Sequence, residues 1–126
     1  MVVEIRRVDF ESIKPISFLH KESVDFKDNG VTSYIGAFID GRIVGCVGYQ
    51  FVGNVMRYKT DAVHPDYRNM GIYSKLWTVR ELECAGKSSV TTAFCTKKSI
   101  HQYLKNGFEV QSKRGEIAFV KRVNKS

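Results

Sequence analysis

Val63-His64-Pro65-Asp66-Tyr67-Arg68-Asn69-Met70-Gly71-Ile72-Tyr73-Ser74-Lys75-Leu76 follows a run of β character, Val55–Ala62, and opens a helical pattern that reaches about Cys84. A strand that turns through Arg68-x-x-Gly71 into a helix leaves several backbone N–H groups unpaired and pointing one way. Together with the positive end of the helix dipole they make an anion site, with phosphate the usual guest. A glycine in the turn lets that guest approach the backbone, because no Cβ stands in the way. The stretch therefore places a phosphate-bearing ligand at the start of the long helix.

Outward from it, the chain divides into short elements. Val2–Val8 alternates apolar and polar residues and reads as a first strand. Phe10–Glu22 carries Ile13, Ile16 and Leu19 at helical spacing, with Pro15 either in the first turn or at a kink. Ser33–Asp40 and Arg42–Phe51 form two β runs joined at Asp40-Gly41, a hairpin cue, and Gly53-Asn54 turns the chain into a fourth strand, Val55–Val63. The helix Gly71–Ala85 presents Ile72, Leu76, Val79 and Leu82, with Gly86 where a C-cap belongs. Ser89–Cys95 reads as a strand and Ser99–Asn106 as a short helix with Ile100, Tyr103 and Leu104 inward. Phe108–Lys113 and Glu116–Val123 make a last hairpin across Arg114-Gly115. The expected order is β-α-β-β-β-α-β-α-β-β, an α/β fold with one mixed sheet and a single domain over residues 1–126.

The 126 residues suffice for one ordinary core, and 43% hydrophobic with 26% charged residues argues against disorder. No apolar run approaches a membrane span, and Met1-Val2-Val3-Glu4 lacks a signal-peptide pattern. Cys46, Cys84 and Cys95 fall in no metal-ligand spacing, so the reading is reduced, buried thiols in a cytoplasmic protein without a metal. The net charge of +7 is uneven: residues 1–96 hold 12 Lys/Arg against 11 Asp/Glu, whereas residues 97–126 hold 8 against 2. A basic last quarter attracts an anionic ligand or partner, unless it is simply a solvated surface.

The element order and two motifs resemble the GNAT acetyltransferase superfamily over essentially the whole chain. Val63-His64-Pro65-Asp66-Tyr67-Arg68-Asn69-Met70-Gly71-Ile72 resembles the family's pyrophosphate-binding motif. Tyr103-Leu104-Lys105-Asn106-Gly107-Phe108 is similar to the aromatic-x-x-x-Gly-Phe signature of its last helix. The resemblance implies an acetyl-CoA site: backbone of Arg68, Asn69, Met70, Gly71, Ile72, Tyr73 and Ser74 on the pyrophosphate, and the strand edge near Val63 on the pantetheine arm. Tyr73 departs from the motif, which has Gly or Ala there, and its side chain either covers the pyrophosphate or reshapes the turn.

The same resemblance makes Tyr103 the proton donor to the departing CoA sulfur. A phenol with a pKa of ~10 keeps its proton at neutral pH. The competing reading makes Tyr103 a core residue. For a base the chain is thin. Asp61 is the one carboxylate expected near the thioester, on a strand face shared with Arg57, Lys59 and Val63. It acts as base, or pairs with Lys59 or Arg57 while water takes the amine proton. Arg57 and Lys59, with the basic last quarter, point to substrate binding through an acidic acceptor. A small-molecule or peptide amine is the expected acceptor and nucleic acid the less favoured one. No membrane contact is expected, and the chain would act as a monomer or homodimer. His64 reads as a turn residue, His20 and His101 as exposed, and Trp77 as a packing or dimer contact. A second hypothesis is a catalytically weak binding module that docks nucleic acid or an acidic partner through the basic quarter.

Overall fold

The computed structural model describes residues 2–125; Met1 and Ser126 lie outside the described residues. Seven strands form one sheet: β1 (Glu4–Val8), β2 (Ser33–Ile39), β3 (Arg42–Val52), β4 (Val55–Val63), β5 (Val90–Cys95), β6 (Glu109–Arg114) and β7 (Ile117–Val123), in the spatial order β1-β2-β3-β4-β5-β7-β6. Every pairing is antiparallel except β4 with β5, which is parallel. The helices are α1 (Phe10–Ile13), α2 (Ile72–Cys84) and α3 (Ile100–Lys105). The connection from β4 to β5 needs a crossover, and α2 supplies it.

Local chemistry accounts for the joints. Asp40 and Gly41 both take positive φ (50° and 76°), the backbone of a tight hairpin whose twist matches its strands. The expected helix over Phe10–Glu22 is instead two pieces: α1, then a 3-10 helix over Lys14–Glu22 with Pro15 in its first turn. Proline lacks the N–H that would continue the α pattern, so the chain restarts with tighter turns.

The sheet is covered unequally. Ile72, Leu76 and Trp77 from α2 and Tyr103 from α3 pack on one face against Ile35, Val47, Tyr58, Ala93 and Val120. On the other face, Ile13, Ile16 and Leu19 pack against Tyr34, Phe38, Ile43, Cys46 and Ala62 of β2, β3 and β4, with Val8 of β1 at the edge of the cluster. Each large side chain fully buried here contributes roughly 1.5–3 kcal/mol by leaving water. Two expected inward residues face solvent: Leu82 is 73% exposed and Leu104 is 45% exposed. The buried stripe of α2 runs Ile72, Leu76, Trp77, Arg80 and Cys84, so the helix is rotated from the one expected and carries an arginine inward. Trp77 is a packing residue, and all three cysteines are buried and free.

One irregularity positions the site. Lys59 pairs with Gly48 and Ala62 with Cys46, so Thr60 and Asp61 together oppose the single residue Val47. Thr60 has φ +61°, rare for a β-branched residue. The bulge reverses the alternation of β4. Lys59 reaches Asp25 on one side of the sheet and Asp61 reaches Arg80 of α2 on the other. The single face expected for Arg57, Lys59, Asp61 and Val63 is therefore broken between Lys59 and Asp61.

Candidate active site

A cleft of about 490 Å³ lies at the end of β4 where α2 begins. The pairing of β4 with β5 covers only Met56–Tyr58 against Thr91–Ala93. Beyond it the strands splay, and the edge of β4 from Lys59 to Val63 is left without a β5 partner. Gly71 is the N-cap of α2 with φ +77°, a backbone state in which glycine is at ease and other residues are strained. It has no side chain to cap the first turn, and no acidic residue stands there, so the first amides of α2 are available to an anion. Asn69, also at positive φ (64°), helps curl the turn around the cleft.

Of the expected cofactor residues, Val63, Arg68, Asn69, Gly71, Ile72, Tyr73 and Ser74 line this cleft, and Met70 does not; its side chain is 45% exposed. Residues that the sequence did not single out complete the lining, among them Glu22, Lys98, Ser99 and Gln102. Glu22 accepts from Arg68 Nη2 at 2.8 Å and pairs with Lys98 at 3.2 Å, tying the end of the 3-10 helix to both sides of the cleft. Burial works against the Glu22 charge, but the bonds from Arg68 and Lys98 outweigh it and hold the carboxyl below its ordinary range. Arg68 Nε also donates to the Val63 carbonyl at 2.9 Å, on the free strand edge.

Beneath the cleft is a charged knot inside the core. Arg80 is fully buried and grips Asp61 with both terminal nitrogens, at 2.7 and 2.9 Å. It also donates to the Gly48 carbonyl at 3.1 Å, opposite the bulge, and its guanidinium lies 4.0 Å from the centre of the Tyr58 ring and 4.8 Å from that of Trp77. Tyr103 donates its hydroxyl to Asp61 at 2.8 Å, and Tyr73 donates to the same oxygen. The partner of Asp61 is thus Arg80, not the expected Lys59 or Arg57, because the bulge turns Asp61 toward α2. The Tyr73 side chain points away from solvent to this carboxylate. Tyr103 is 1% exposed, and burial first and the Asp61 charge second push its phenol, like that of Tyr73, well above the ordinary value. Arg80 was detectable in principle: Ile72, Leu76 and Arg80 recur at four-residue spacing on one helical face.

A smaller cleft of about 90 Å³ opens on the other side of the bulge, with Asp25, Arg57, Lys59, Phe94 and Tyr103 in its lining. It shares Val24, Asp61, Thr96 and Ser99 with the larger cleft, so the two meet at the splay. Lys59 is neutralised by Asp25 at 2.9 Å; burial works against the Asp25 charge, but the bonds from Lys59 and from the Lys27 amide, with the charges of both lysines, together hold its carboxyl low. Arg57 has no carboxylate partner among the described residues and lies 5.2 Å from the centre of the Phe94 ring. His64 accepts from the Asp66 amide at 3.1 Å and is a turn residue, while His20 and His101 are exposed. Among the described residues no cluster of His, Cys, Asp and Glu could hold a metal ion, and no helix is long and apolar enough to cross a membrane.

A family model described as acetyltransferase (GNAT) family matches residues 1–108. No curated protein matches the sequence. Among solved structures, the PaiA N-acetyltransferase of Thermoplasma acidophilum in complex with coenzyme A superposes with a TM-score of 0.75 at 16% identity, over 98% of this chain and 100% of that one. A GNAT-family acetyltransferase from Staphylococcus aureus Mu50 gives 0.73 at 19% identity, over 98% and 100%. N-acetylglutamate synthase from Neisseria gonorrhoeae, complexed with coenzyme A and N-acetyl-glutamate, gives 0.77 at 15% identity, over all of this chain and 36% of that one. At these identities the likeness is one of fold.

Proposed function

This chain is an acyltransferase of the acetyltransferase (GNAT) family, and we propose that it transfers an acetyl group from acetyl-CoA directly to the amine of an acidic acceptor. The observation that carries this reading is the junction of the two clefts at the β4–β5 splay. One cleft has the uncapped amides and cations that suit a pyrophosphate, and the other has an unpaired arginine. In this reading the amides from Arg68 to Ser74 hold the pyrophosphate. Arg68 leaves the Val63 carbonyl so that the free edge of β4 can pair with the amides of the pantetheine arm. The thioester then stands at the splay, within reach of an amine entering beside Arg57. Holding the two reactants there lowers the barrier by removing the entropy of their encounter.

Asp61 already accepts four hydrogen bonds, two of them from Arg80. We assign it to positioning, with the amine proton leaving through water in the open cleft. Tyr103 is assigned to the sulfur. A phenol pushed upward parts with its proton reluctantly, so it serves as a hydrogen-bond donor that turns from Asp61 to the thiolate as charge develops there. Arg80 and Tyr73 keep Asp61 compensated in the meantime. The test is calorimetry and thermal melting with acetyl-CoA, followed by thiol release against a panel of amines. The expected result is micromolar binding, a raised Tm and turnover with at least one amine. A chain that binds no acetyl-CoA would refute the function.

A further inference from the structure

One carboxylate spans the large cleft. Glu22 Oε1 accepts from Arg68 Nη2 at 2.8 Å and meets Lys98 Nζ at 3.2 Å, so a single oxygen holds a cation from each wall. Arg68 belongs to the turn before α2, and Lys98 to the connection between β5 and α3. With its Nε, Arg68 also covers the Val63 carbonyl at 2.9 Å. The contact therefore does two things at once. It neutralises the two cations that an anion entering the cleft would meet. It also keeps a guanidinium on the strand edge that an amide-bearing ligand would pair with. Burial works against the Glu22 charge, yet the bonds from Arg68 and Lys98 hold its carboxyl below the ordinary range, so the bridge is charged at neutral pH.

The carboxylate can let go without disturbing the fold. Ile16 and Leu19, both buried, pin the 3-10 helix to the sheet, and the Ser23 amide closes its end on the His20 carbonyl at 3.0 Å. Glu22 stands outside that packing, on the cleft lining, so turning its own side-chain torsions frees both cations. Once out of the bridge the carboxylate regains its hydration, whereas the cations require another anion. A pyrophosphate carries more than one charge and can replace Glu22 on Arg68 through paired hydrogen bonds. We infer, on the footing of the proposed acetyl-CoA site, that Glu22 is an internal stand-in for the cofactor's phosphate, a competitor built into the chain that the cofactor must displace. The apparent affinity for the cofactor is then the intrinsic one reduced by the fraction of time that the cations are free.

The experiment measures the binding of acetyl-CoA and of inorganic pyrophosphate by calorimetry, in the intact protein and in Glu22→Gln, which keeps the side chain's length and removes its charge. Both ligands should bind about tenfold tighter to the variant, as the loss of one charge-assisted competitor implies. Where Glu22→Gln does not fold, Glu22→Asp serves instead. It keeps the charge but is one carbon short of bridging both walls, and it should shift both affinities in the same direction. Unchanged or weaker acetyl-CoA binding in a variant that still melts cooperatively overturns the inference, because Glu22 would then be ordering the cations for the ligand. Tighter acetyl-CoA without tighter pyrophosphate overturns it too, since the gain would lie outside the anion position. Failure of both the intact protein and the variant to bind acetyl-CoA overturns the proposed cofactor site itself.

Discussion

The two sides of β4 solve opposite problems with similar residues. On the α2 side, Arg80 is sealed in the core against Asp61, whose carboxylate also accepts from Tyr73 and Tyr103. On the other side Arg57 stands half-buried beside the exposed ring of Phe94, with no acid among the described residues to match it. A charge inside the fold must be satisfied by the fold itself, because desolvation costs several kcal/mol per ion. A charge left open at a cleft can be satisfied by a ligand. The contrast teaches that Arg80 belongs to the architecture of the site, whereas Arg57 is left free for the acceptor contact that the proposed function assigns to it.

The largest test of that contrast removes Arg80. Arg80→Met leaves Asp61 as an uncompensated buried carboxylate and should cost about 3–5 kcal/mol of stability, read by denaturant unfolding. Restoring neutrality with Asp61→Asn in the same chain should recover a large part of it. If Arg80→Met melts like the parent, the knot is not what holds the bulge against α2. A smaller effect is expected from Tyr103→Phe, which keeps the ring packed on Trp77 and Phe108 while removing the donor. Its kcat should fall by about 10²-fold, the lower end for losing one hydrogen-bond donor to charge developing in the transition state, with acetyl-CoA affinity nearly unchanged. Full activity would remove the role assigned to Tyr103. The smallest change in stability belongs to the open face. Phe94→Ala should alter unfolding by no more than about 0.5 kcal/mol, as for most surface positions, yet raise KM for a carboxylate-bearing amine. A large loss of stability would show that Phe94 is core and not acceptor surface.

Much of this was legible beforehand, and the exceptions share a cause. Strand and helix order followed from hydrophobic periodicity and turn residues, and the turn Arg68–Gly71 marked the cleft at the start of α2 because backbone amides shape it. The two inward stripes were partly misplaced: Leu82 and Leu104 face water, while Arg80 faces in. Periodicity weights apolar residues, so a charged residue buried by a partner elsewhere in the chain escapes it. The face shared by Arg57, Lys59 and Asp61 was misread for a different reason. A strand alternates strictly only while its register holds, and the bulge at Thr60–Asp61 inserts one residue. Glu22 and Lys98 could not have been joined to Arg68 from spacing alone, being 46 and 30 residues away.

What the chain determined by itself is therefore what local rules control: its element order, the caps and hairpins, and a phosphate-ready turn before α2. Those depend on backbone geometry and on residues within a few positions of one another. Which carboxylate meets which cation was decided only when the sheet closed. Asp61 went to Arg80, Asp25 to Lys59 and Glu22 to Arg68, and Arg57 was left over. Ion pairs are chosen by proximity in space and by desolvation, and both come into being only with the tertiary fold.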